Sequence, residues 1–213
     1  MYDLPSFKAN NDKEVLDFMK AHSFITLCGV DKHGVPVATH VPVLISHKQG
    51  KLILRGHIQR KTDHHKAFTH APNVLAIFTG PHSYVSAGWY EKKEVASTWN
   101  YQAVHAPGFI HFGDDAMLLQ LLKDLTAFYE NDPSSPALVE NMSHNYMDLM
   151  MKAIIAFEIT VTDIHHVFKL SQNRSEDDRN KVIEQLSASN DKEANLLAEE
   201  MKKHYHASLN HDK

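Results

Sequence analysis

Residues 23–44 read SFITLCGVDKHGVPVATHVPVL, and this stretch indicates the fold class of the chain. Two segments rich in β-branched and aromatic residues, 23–30 and 35–44, flank the turn-forming residues DKHG. This pattern is typical of an antiparallel hairpin. Pro36 and Pro42 stand six residues apart in the second segment, so their missing N–H donors fall on the same edge. We therefore expect the second strand to be an edge strand or a bulged strand.

The rest of the chain continues with short strands and then changes to helices. Apolar and β-branched segments predict further strands at 51–57, 74–79, 84–86, 98–106, 109–112 and 153–161, with Pro107 and Gly108 read as a turn. Helical periodicity predicts helices from near residue 11, at 61–70, at 114–131, at 137–151 and twice in the tail. Capping-box spacing marks three helix starts: Asn11 with Glu14, Ser175 with Asp178, and Asn190 with Glu193.

This order of elements predicts an α+β fold with a mainly β core. A series of strands, a helical insert and a returning strand fit an antiparallel barrel with outer helices and a helical C-terminus. The alternation of strand and helix that marks a doubly wound fold is absent from the pattern. We predict a barrel domain at 1–170 with a helical insert at 114–151, and a helical C-terminal extension at 171–213.

Composition excludes several classes of protein. The 213 residues are 43% hydrophobic and 23% charged, which is ordinary for a globular domain. The net charge of -4 argues against a broad basic DNA-binding face, although it leaves room for a local patch. No apolar segment approaches the roughly 18 residues of a membrane span. The single cysteine, Cys28, cannot form an internal disulfide, so a cytoplasmic protein is expected.

A candidate phosphate site lies at residues 56–61, GHIQRK, just before a predicted helix. Arg60 can grip phosphate oxygens with two parallel hydrogen bonds, and Lys61 adds a second cation. The first-turn N–H groups of the helix and its dipole would favour the same anion. The alternative is a solvated basic turn. Neither the Walker A pattern nor G-x-G-x-x-G occurs, so a phosphate would not be held by a nucleotide-triphosphate or Rossmann loop.

Aromatic and polar residues of the middle strands suggest a planar ligand. Tyr84, Trp89, Tyr90, Trp99 and Tyr101 offer flat faces, although ordinary core and dimer packing is the commoner use of such residues.

Two polar segments accompany these rings. The segment 98–102, TWNYQ, can hydrogen-bond a heterocycle, or it can face water as a half-exposed strand. The segment 172–174, QNR, places three hydrogen-bonding side chains before a capped helix, and the role of a lead-in loop does not explain it. The 17 histidines lack the cysteine or carboxylate pattern of a metal site, and no catalytic nucleophile stands out.

Several short segments together resemble the PaiB family of FMN-binding negative transcriptional regulators. They occur in the family's order between residues 2 and 180: ATHVP at 38–42, Gly56-His57 with Arg60, FTGPHSYVS at 78–86, WY at 89–90, TWNY at 98–101, AVH at 103–105, and KLSQNR at 169–174 with Glu176. The resemblance implies a split β-barrel related to pyridoxamine 5′-phosphate oxidase. It also implies a homodimer with FMN at the subunit interface.

The resemblance also implies which residues bind the flavin. One side of the flavin would be lined by Ala38, Thr39, His40 and Val41. The ribityl chain would lie near Arg55, Gly56 and His57. The phosphate would be held by Arg60 and Lys61, and the second subunit would contribute Trp99, Asn100 and Gln102. The chain departs from the family pattern at 60–66, RKTDHHK, where the family has Arg-Ala-Asn-Pro followed by Trp-Lys.

Two alternative functions remain open from the sequence. The related fold favours a flavin-dependent oxidoreductase, in which the flavin supplies the hydride chemistry and the protein orients a substrate. No catalytic residue is predicted for it. A haem-binding role would use His57, His105 or a tail histidine as the iron ligand. No helix-turn-helix is evident, so regulation would act through a local DNA contact or through a partner protein.

Overall fold

Eight strands and six α-helices make up the part of the chain that the computed structural model describes, residues 1–209. The strands are β1 Phe24–Val30, β2 Pro36–Pro42, β3 Leu44–Lys48, β4 Lys51–Gln59, β5 Asn73–Val85, β6 Thr98–Phe112, β7 Ile154–Val161 and β8 His165–Lys169. The helices are α1 Asp12–Ala21, α2 Asp63–His70, α3 Asp115–Glu130, α4 His144–Met151, α5 Glu176–Ser187 and α6 Lys192–Leu209. The fold is therefore α+β with a mainly antiparallel β core, as predicted.

The predicted hairpin forms between β1 and β2, which pair antiparallel from Phe24 opposite Pro42 to Val30 opposite Pro36. Asp31 closes the turn, because its Oδ1 accepts the backbone N–H groups of two residues further along the turn, at 2.8 and 2.9 Å. Gly34 has a φ of +78°, a conformation that favours glycine. Local turn chemistry therefore explains the register of this hairpin.

The predicted strand 35–44 is two strands, which corrects the sequence interpretation. The strand β2 ends at Pro42, the N–H of Val43 donates to the Ser23 carbonyl, and Leu44 begins β3 opposite Arg55 of β4. The order of the strands is β2-β1-β5-β6-β7-β4-β3, with β8 paired to β6. The chain thus passes from one edge of the order to the other within two residues, and β2 is an edge strand as its prolines predicted.

The turn predicted at Pro107 and Gly108 is also wrong, because both residues lie inside the 15-residue strand β6. Gly108 pairs with Val161 of β7, and a Cβ added to it would lie 2.6 Å from the carbonyl oxygen of Thr160. The glycine therefore permits close approach of two strands instead of a chain reversal. The segments 74–79 and 84–86, predicted as separate strands, are both parts of the single strand β5. The strand β8 was not predicted.

Helix starts follow their capping residues. The side chain of Asn11 accepts the N–H of Glu14, and that of Ser175 accepts the N–H of Asp178, as predicted. The cap predicted at Asn190 is wrong, because the carboxylate that accepts the N–H of Glu193 belongs to the next residue, Asp191. The predicted helix 137–151 is a 3₁₀ turn followed by α4, which Ser143 caps. No helix among residues 1–209 is both long and apolar enough to span a membrane.

The chain divides into two compact units that interleave along the sequence. Among the described residues, unit 1 comprises Met1–His22, Phe78–Val104 and residues 165–209. Its buried core includes Phe18, Met19, Phe78, Phe168, Leu197 and Met201. Unit 2 comprises Ser23–Ile77 and His105–Ile164, and its buried core includes Ile25, Leu27, Leu54, Phe68, Phe157 and Ile159. The boundary predicted at residue 170 falls inside the last segment of unit 1.

Candidate cofactor site

The strand β4 of unit 2 carries three of the predicted site residues on alternate faces. Gly56 is buried on the core side, where an added Cβ would lie 2.6 Å from Cζ of Phe157 and 2.9 Å from the carbonyl oxygen of Pro42. The end of β2 therefore packs directly on β4 at this glycine. Arg55 and His57 point to the opposite face, since side chains alternate along a strand.

The helix α3 packs against β4 and β7 within unit 2. Nη1 of Arg55 lies 2.7 Å from Oδ2 of Asp124 on α3, and both side chains are partly buried. This ion pair holds the Arg55 guanidinium against the helix. Arg55 is therefore a positioned cation. The resemblance implies that the ribityl chain of the flavin would lie near it.

Arg60 stands one residue beyond the end of β4 and is fixed by the backbone. Its Nε donates to the carbonyl oxygen of Ile154 at 2.7 Å, and its own N–H donates to the carbonyl oxygen of Ala153 at 2.9 Å. Its Nη2 lies 3.3 Å from Oδ1 of Asp115, whose side chain is 80% exposed. Exposed ion pairs of this kind contribute little to stability. An incoming phosphate oxygen can therefore replace the Asp115 carboxylate.

The residues that follow Arg60 use several of their own backbone donors. Lys61 has a φ of +67°, and its N–H donates to Nδ1 of His65 at 3.0 Å. The hydroxyl of Thr62 accepts the N–H of His65, and the carboxylate of Asp63 accepts the N–H of His64. These donors were expected to meet a phosphate, and here they already have acceptors. A phosphate bound at this turn would therefore depend on the side chains of Arg60 and Lys61.

His57 presents an unsatisfied polar atom. Its Nδ1 is buried and has no hydrogen-bond partner among the described residues. Burial lowers the pKa of His57, which favours the neutral imidazole near pH 7. A buried nitrogen without a partner is the kind of group that a bound ligand can satisfy. Two features are therefore compatible with FMN bound along β4: the unpartnered Nδ1 of His57, and the exposed Arg60–Asp115 ion pair that a phosphate could replace.

The four β2 residues of the predicted flavin-binding segment divide between two faces. Ala38 and His40 are exposed, and Nδ1 of His40 lies 3.1 Å from Oγ1 of Thr26 on the neighbouring strand. Thr39 and Val41 point to the opposite face, which includes the buried core residues of β1. Ala38 and His40 therefore present their side chains on the exposed face of β2. Thr39 and Val41 contribute only backbone atoms to that face.

The remaining predicted residues lie on β6 in unit 1. Trp99 is 53% exposed and makes an edge contact with Tyr84, with ring centroids 6.2 Å apart. Asn100 is fully buried and donates to the hydroxyl of Ser171 at 2.8 Å. Gln102 is also buried, at 2% exposure. As placed here, Trp99 is the one of the three that presents its side chain on the surface.

Comparisons with known proteins fit this arrangement. A family model described as "Putative FMN-binding domain" matches residues 1–163. The Bacillus subtilis (strain 168) protein named "Protease synthase and sporulation protein PAI 2" is 35% identical over 201 residues, which cover 94% of this chain and 96% of that protein. This chain belongs to the PaiB family. FMN is the cofactor of this PaiB-family domain.

Solved structures show the fold of this PaiB-family chain. The FAD and heme binding protein from Mycobacterium smegmatis matches with a TM-score of 0.57 at 14% identity, over 81% of this chain and 78% of that one. A conserved hypothetical protein from Mycobacterium tuberculosis matches with a TM-score of 0.56 at 12% identity, over 83% of this chain and 95% of that one. The fold is that of the split β-barrel, and the sheet formed by the described residues is not closed.

Sequence reasoning missed the residues that position the two arginines. Asp115 and Asp124 belong to α3, and the Ile154 carbonyl belongs to β7. Each lies more than 50 residues from the arginine it contacts, so no local spacing links them. The acidic start of α3 was visible in the sequence, but nothing there connected it to Arg60.

Proposed function

We propose that this chain is an FMN-dependent negative regulator of transcription that acts as a homodimer. The flavin phosphate would be held by Arg60 and Lys61 at the end of β4. One observation carries this assignment: the Ile154 carbonyl fixes the Arg60 guanidinium directly before α2, in a chain that carries the family's FMN-binding domain. A fixed arginine can receive phosphate oxygens with little loss of side-chain entropy.

The rest of the flavin would lie along β2 and β4 of the same unit. In this proposal Ala38, Thr39, His40 and Val41 line one side of the ring, and Arg55, Gly56 and His57 lie near the ribityl chain. The second subunit would contribute Trp99, whose side chain is on the surface, while the side chains of Asn100 and Gln102 are buried in their own subunit. The isoalloxazine ring supplies electron transfer when it is bound. The protein orients the ring and holds its phosphate.

A homodimer is supported by the outer face of the β1–β2 hairpin. Phe24 is 69% exposed, Val35 is 54% exposed and Val30 is 41% exposed, and all three are apolar. Val30 and Val35 flank the turn, and Phe24 lies at the other end of β1; exposed apolar side chains such as these are candidates for an interface. A second copy of the chain would cover them and would bring Trp99 of the partner subunit to the flavin.

The regulatory role is supported by the relative in Bacillus subtilis, whose name is "Protease synthase and sporulation protein PAI 2". The net charge of -4 favours regulation through a protein partner over a broad DNA contact. The flavin would then act as the sensed ligand, because its redox state or its presence can change the surface offered to the partner.

Transcript levels in a strain lacking the gene would test this role. We expect a set of transcripts to rise on deletion, and we expect the wild-type chain to lower them again. Arg60→Gln should restore repression poorly, because the variant lacks the guanidinium that is proposed to bind the FMN phosphate. Unchanged transcripts on deletion would contradict the regulatory role. Rapid bleaching of the bound flavin by NADH or NADPH would instead favour an oxidoreductase, and a Soret band that one His→Ala change removes would favour haem binding.

A further inference from the structure

A second cationic cleft lies wholly within unit 1, away in sequence from Arg60. Its volume is about 200 Å³, and its lining combines two cations with hydroxyl and amide groups and no carboxylate. The lining residues that matter here are Tyr90, Thr98, Asn100, Lys169, Ser171 and Arg174. Positive charge without a matching acid in a concave site points to an anionic ligand.

The two cations are held in place without ion pairs. Nζ of Lys169 donates to the hydroxyl of Thr98. The Arg174 guanidinium lies over the ring of Tyr90, with its Cζ 4.4 Å from the ring centroid. Neither cation has an acidic partner among residues 1–209. Burial lowers the pKa of Lys169, and the nearby charge of Arg174 lowers it further.

Two buried polar atoms of the lining lack partners. Tyr90 is 8% exposed, and its hydroxyl has no hydrogen-bond partner among the described residues. Asn100 is 0% exposed, and its Oδ1 likewise has no partner in that part of the chain. Buried groups of this kind are usually satisfied in native proteins. Oδ1 of Asn100 is an acceptor and cannot hydrogen-bond a phosphate dianion, so it is the Tyr90 hydroxyl that points to an anionic ligand. The Tyr90 hydroxyl can donate to an oxyanion beside Arg174.

The loop after β8 builds this cleft, and it explains the segment QNR that the sequence left without a role. The side chain of Gln172 binds the backbone at both ends, accepting the N–H of Leu170 and donating to the carbonyl of Phe168. Ser171 adopts a φ of +66°, and the N–H of Arg174 donates to its carbonyl at 3.0 Å. This tight turn places Ser171 and Arg174 in the lining of the cleft.

We propose that this cleft binds the phosphate group of a phosphate monoester. Two uncompensated cations match the charge of a phosphate dianion better than that of a single carboxylate. A guanidinium and hydroxyl donors suit its tetrahedral oxygens. At about 200 Å³ the cleft is smaller than the roughly 300 Å³ at which sites for drug-sized molecules begin. It therefore accepts the phosphate end of a molecule and not a whole flavin.

Calorimetric titration of the full chain with inorganic phosphate, at constant ionic strength, tests the proposal. The titration uses Arg60→Gln as the background, so that the proposed flavin-phosphate site is already disabled. We expect saturable phosphate binding in Arg60→Gln and at least tenfold weaker binding in Arg60→Gln/Arg174→Gln. Tyr90→Phe should weaken binding about threefold while it keeps the ring under Arg174. Unchanged melting temperatures would confirm that the variants fold.

Two results would overturn the proposal. If the single variant Arg60→Gln no longer binds phosphate, all phosphate binding of the chain takes place at the end of β4 and none in the cleft. Equal binding with and without Arg174 would show that the cleft takes no phosphate. Neither result depends on the flavin, so a failure of FMN binding in the wild type would count against the proposed function alone.

A competition experiment identifies the source of the phosphate. If phosphate weakens FMN binding in the wild type but not in Arg174→Gln, the ester in the cleft is FMN itself, and the phosphate assignment to Arg60 is wrong. If FMN affinity does not respond to Arg174 while phosphate still binds, the cleft takes a separate phosphate ester. Both results support a phosphate site in the cleft and differ only in its natural occupant.

Discussion

Nη2 of Arg60 lies 3.3 Å from Oδ1 of Asp115, and this contact joins the end of β4 to the first residue of α3. The Ile154 carbonyl fixes the other side of the guanidinium. In the proposed site a phosphate oxygen would take the place of the Asp115 carboxylate, which is exposed. Removing that carboxylate should make room for the cofactor.

Asp115→Asn should raise the affinity for FMN several-fold, because phosphate no longer competes with a carboxylate for Arg60. Flavin fluorescence titration measures this directly. The same change removes a negative charge from the first turn of α3, which costs about 0.3–1 kcal/mol of stability. Asp177→Asn, in the first turn of α5, controls for that loss and should leave FMN affinity unchanged. Weaker FMN binding in Asp115→Asn would contradict this account of Arg60.

Gly56→Ala tests the packing of β2 on β4. The new Cβ would lie 2.6 Å from Cζ of Phe157 and 2.9 Å from the carbonyl oxygen of Pro42, so one of them must move. We expect the free energy of unfolding to fall by about 1–3 kcal/mol in urea denaturation. Gly88→Ala is the matched control, because its Cβ would meet only Oγ of Ser86, at 3.4 Å. Equal stability of the two variants would mean that β2 does not pack tightly at Gly56.

The start of α6 gives a test of helix capping. Asp191→Ala should lower the free energy of unfolding by about 1 kcal/mol, because its carboxylate accepts the N–H of Glu193 at 3.0 Å. Asn190→Ala, one residue earlier, should change stability by less than about 0.5 kcal/mol. Thermal and urea unfolding of both variants measures the difference. The reverse order of effects would restore Asn190 as the cap.

His57 should contribute to the pH dependence of stability. Burial lowers its pKa below the ordinary value of 6.5, so the unfolded chain binds the proton more readily. Its contribution is complete above pH 6.5 and is lost as the pH falls from there through the lowered pKa. Because His22 and His166 also have pKa values lowered by burial, they share this loss.

Urea denaturation at pH 7.5 and pH 5.5 measures the His57 contribution. His57→Gln should show a smaller drop in stability between the two pH values than the wild type. The exposed His47→Gln should show the wild-type drop. A wild-type drop in His57→Gln would mean that the imidazole is as well solvated in the folded protein as in the unfolded chain.

Structural features that depend on residues close together in the sequence were predictable. The β1–β2 hairpin follows from its turn residues, and the caps at Asn11 and Ser175 follow from spacings of three residues. The predicted cap of α6 was wrong by one residue, because Asn190 and Asp191 are both good capping residues. The order and type of most elements were recovered in this way.

Features that depend on distant partners were not predictable. Gly108 looks like a turn residue until β7 is placed beside it, where Thr160 needs the space. Arg60 was found as a cation before a helix, but its partners Asp115 and Ile154 lie 55 and 94 residues away. The sequence could therefore indicate Arg60 as a candidate for phosphate binding but not the contacts that orient it.

Flavin titration of the full chain with FMN and with riboflavin, which lacks the phosphate, tests the central claim most directly. We expect the wild type to bind FMN at least about tenfold more tightly than riboflavin, since a charge-assisted contact contributes about 1.5–3 kcal/mol. In Arg60→Gln the two affinities should become nearly equal. If Arg60→Gln keeps the full preference for FMN, or if the wild type binds neither flavin, the assignment of the FMN phosphate to Arg60 is contradicted.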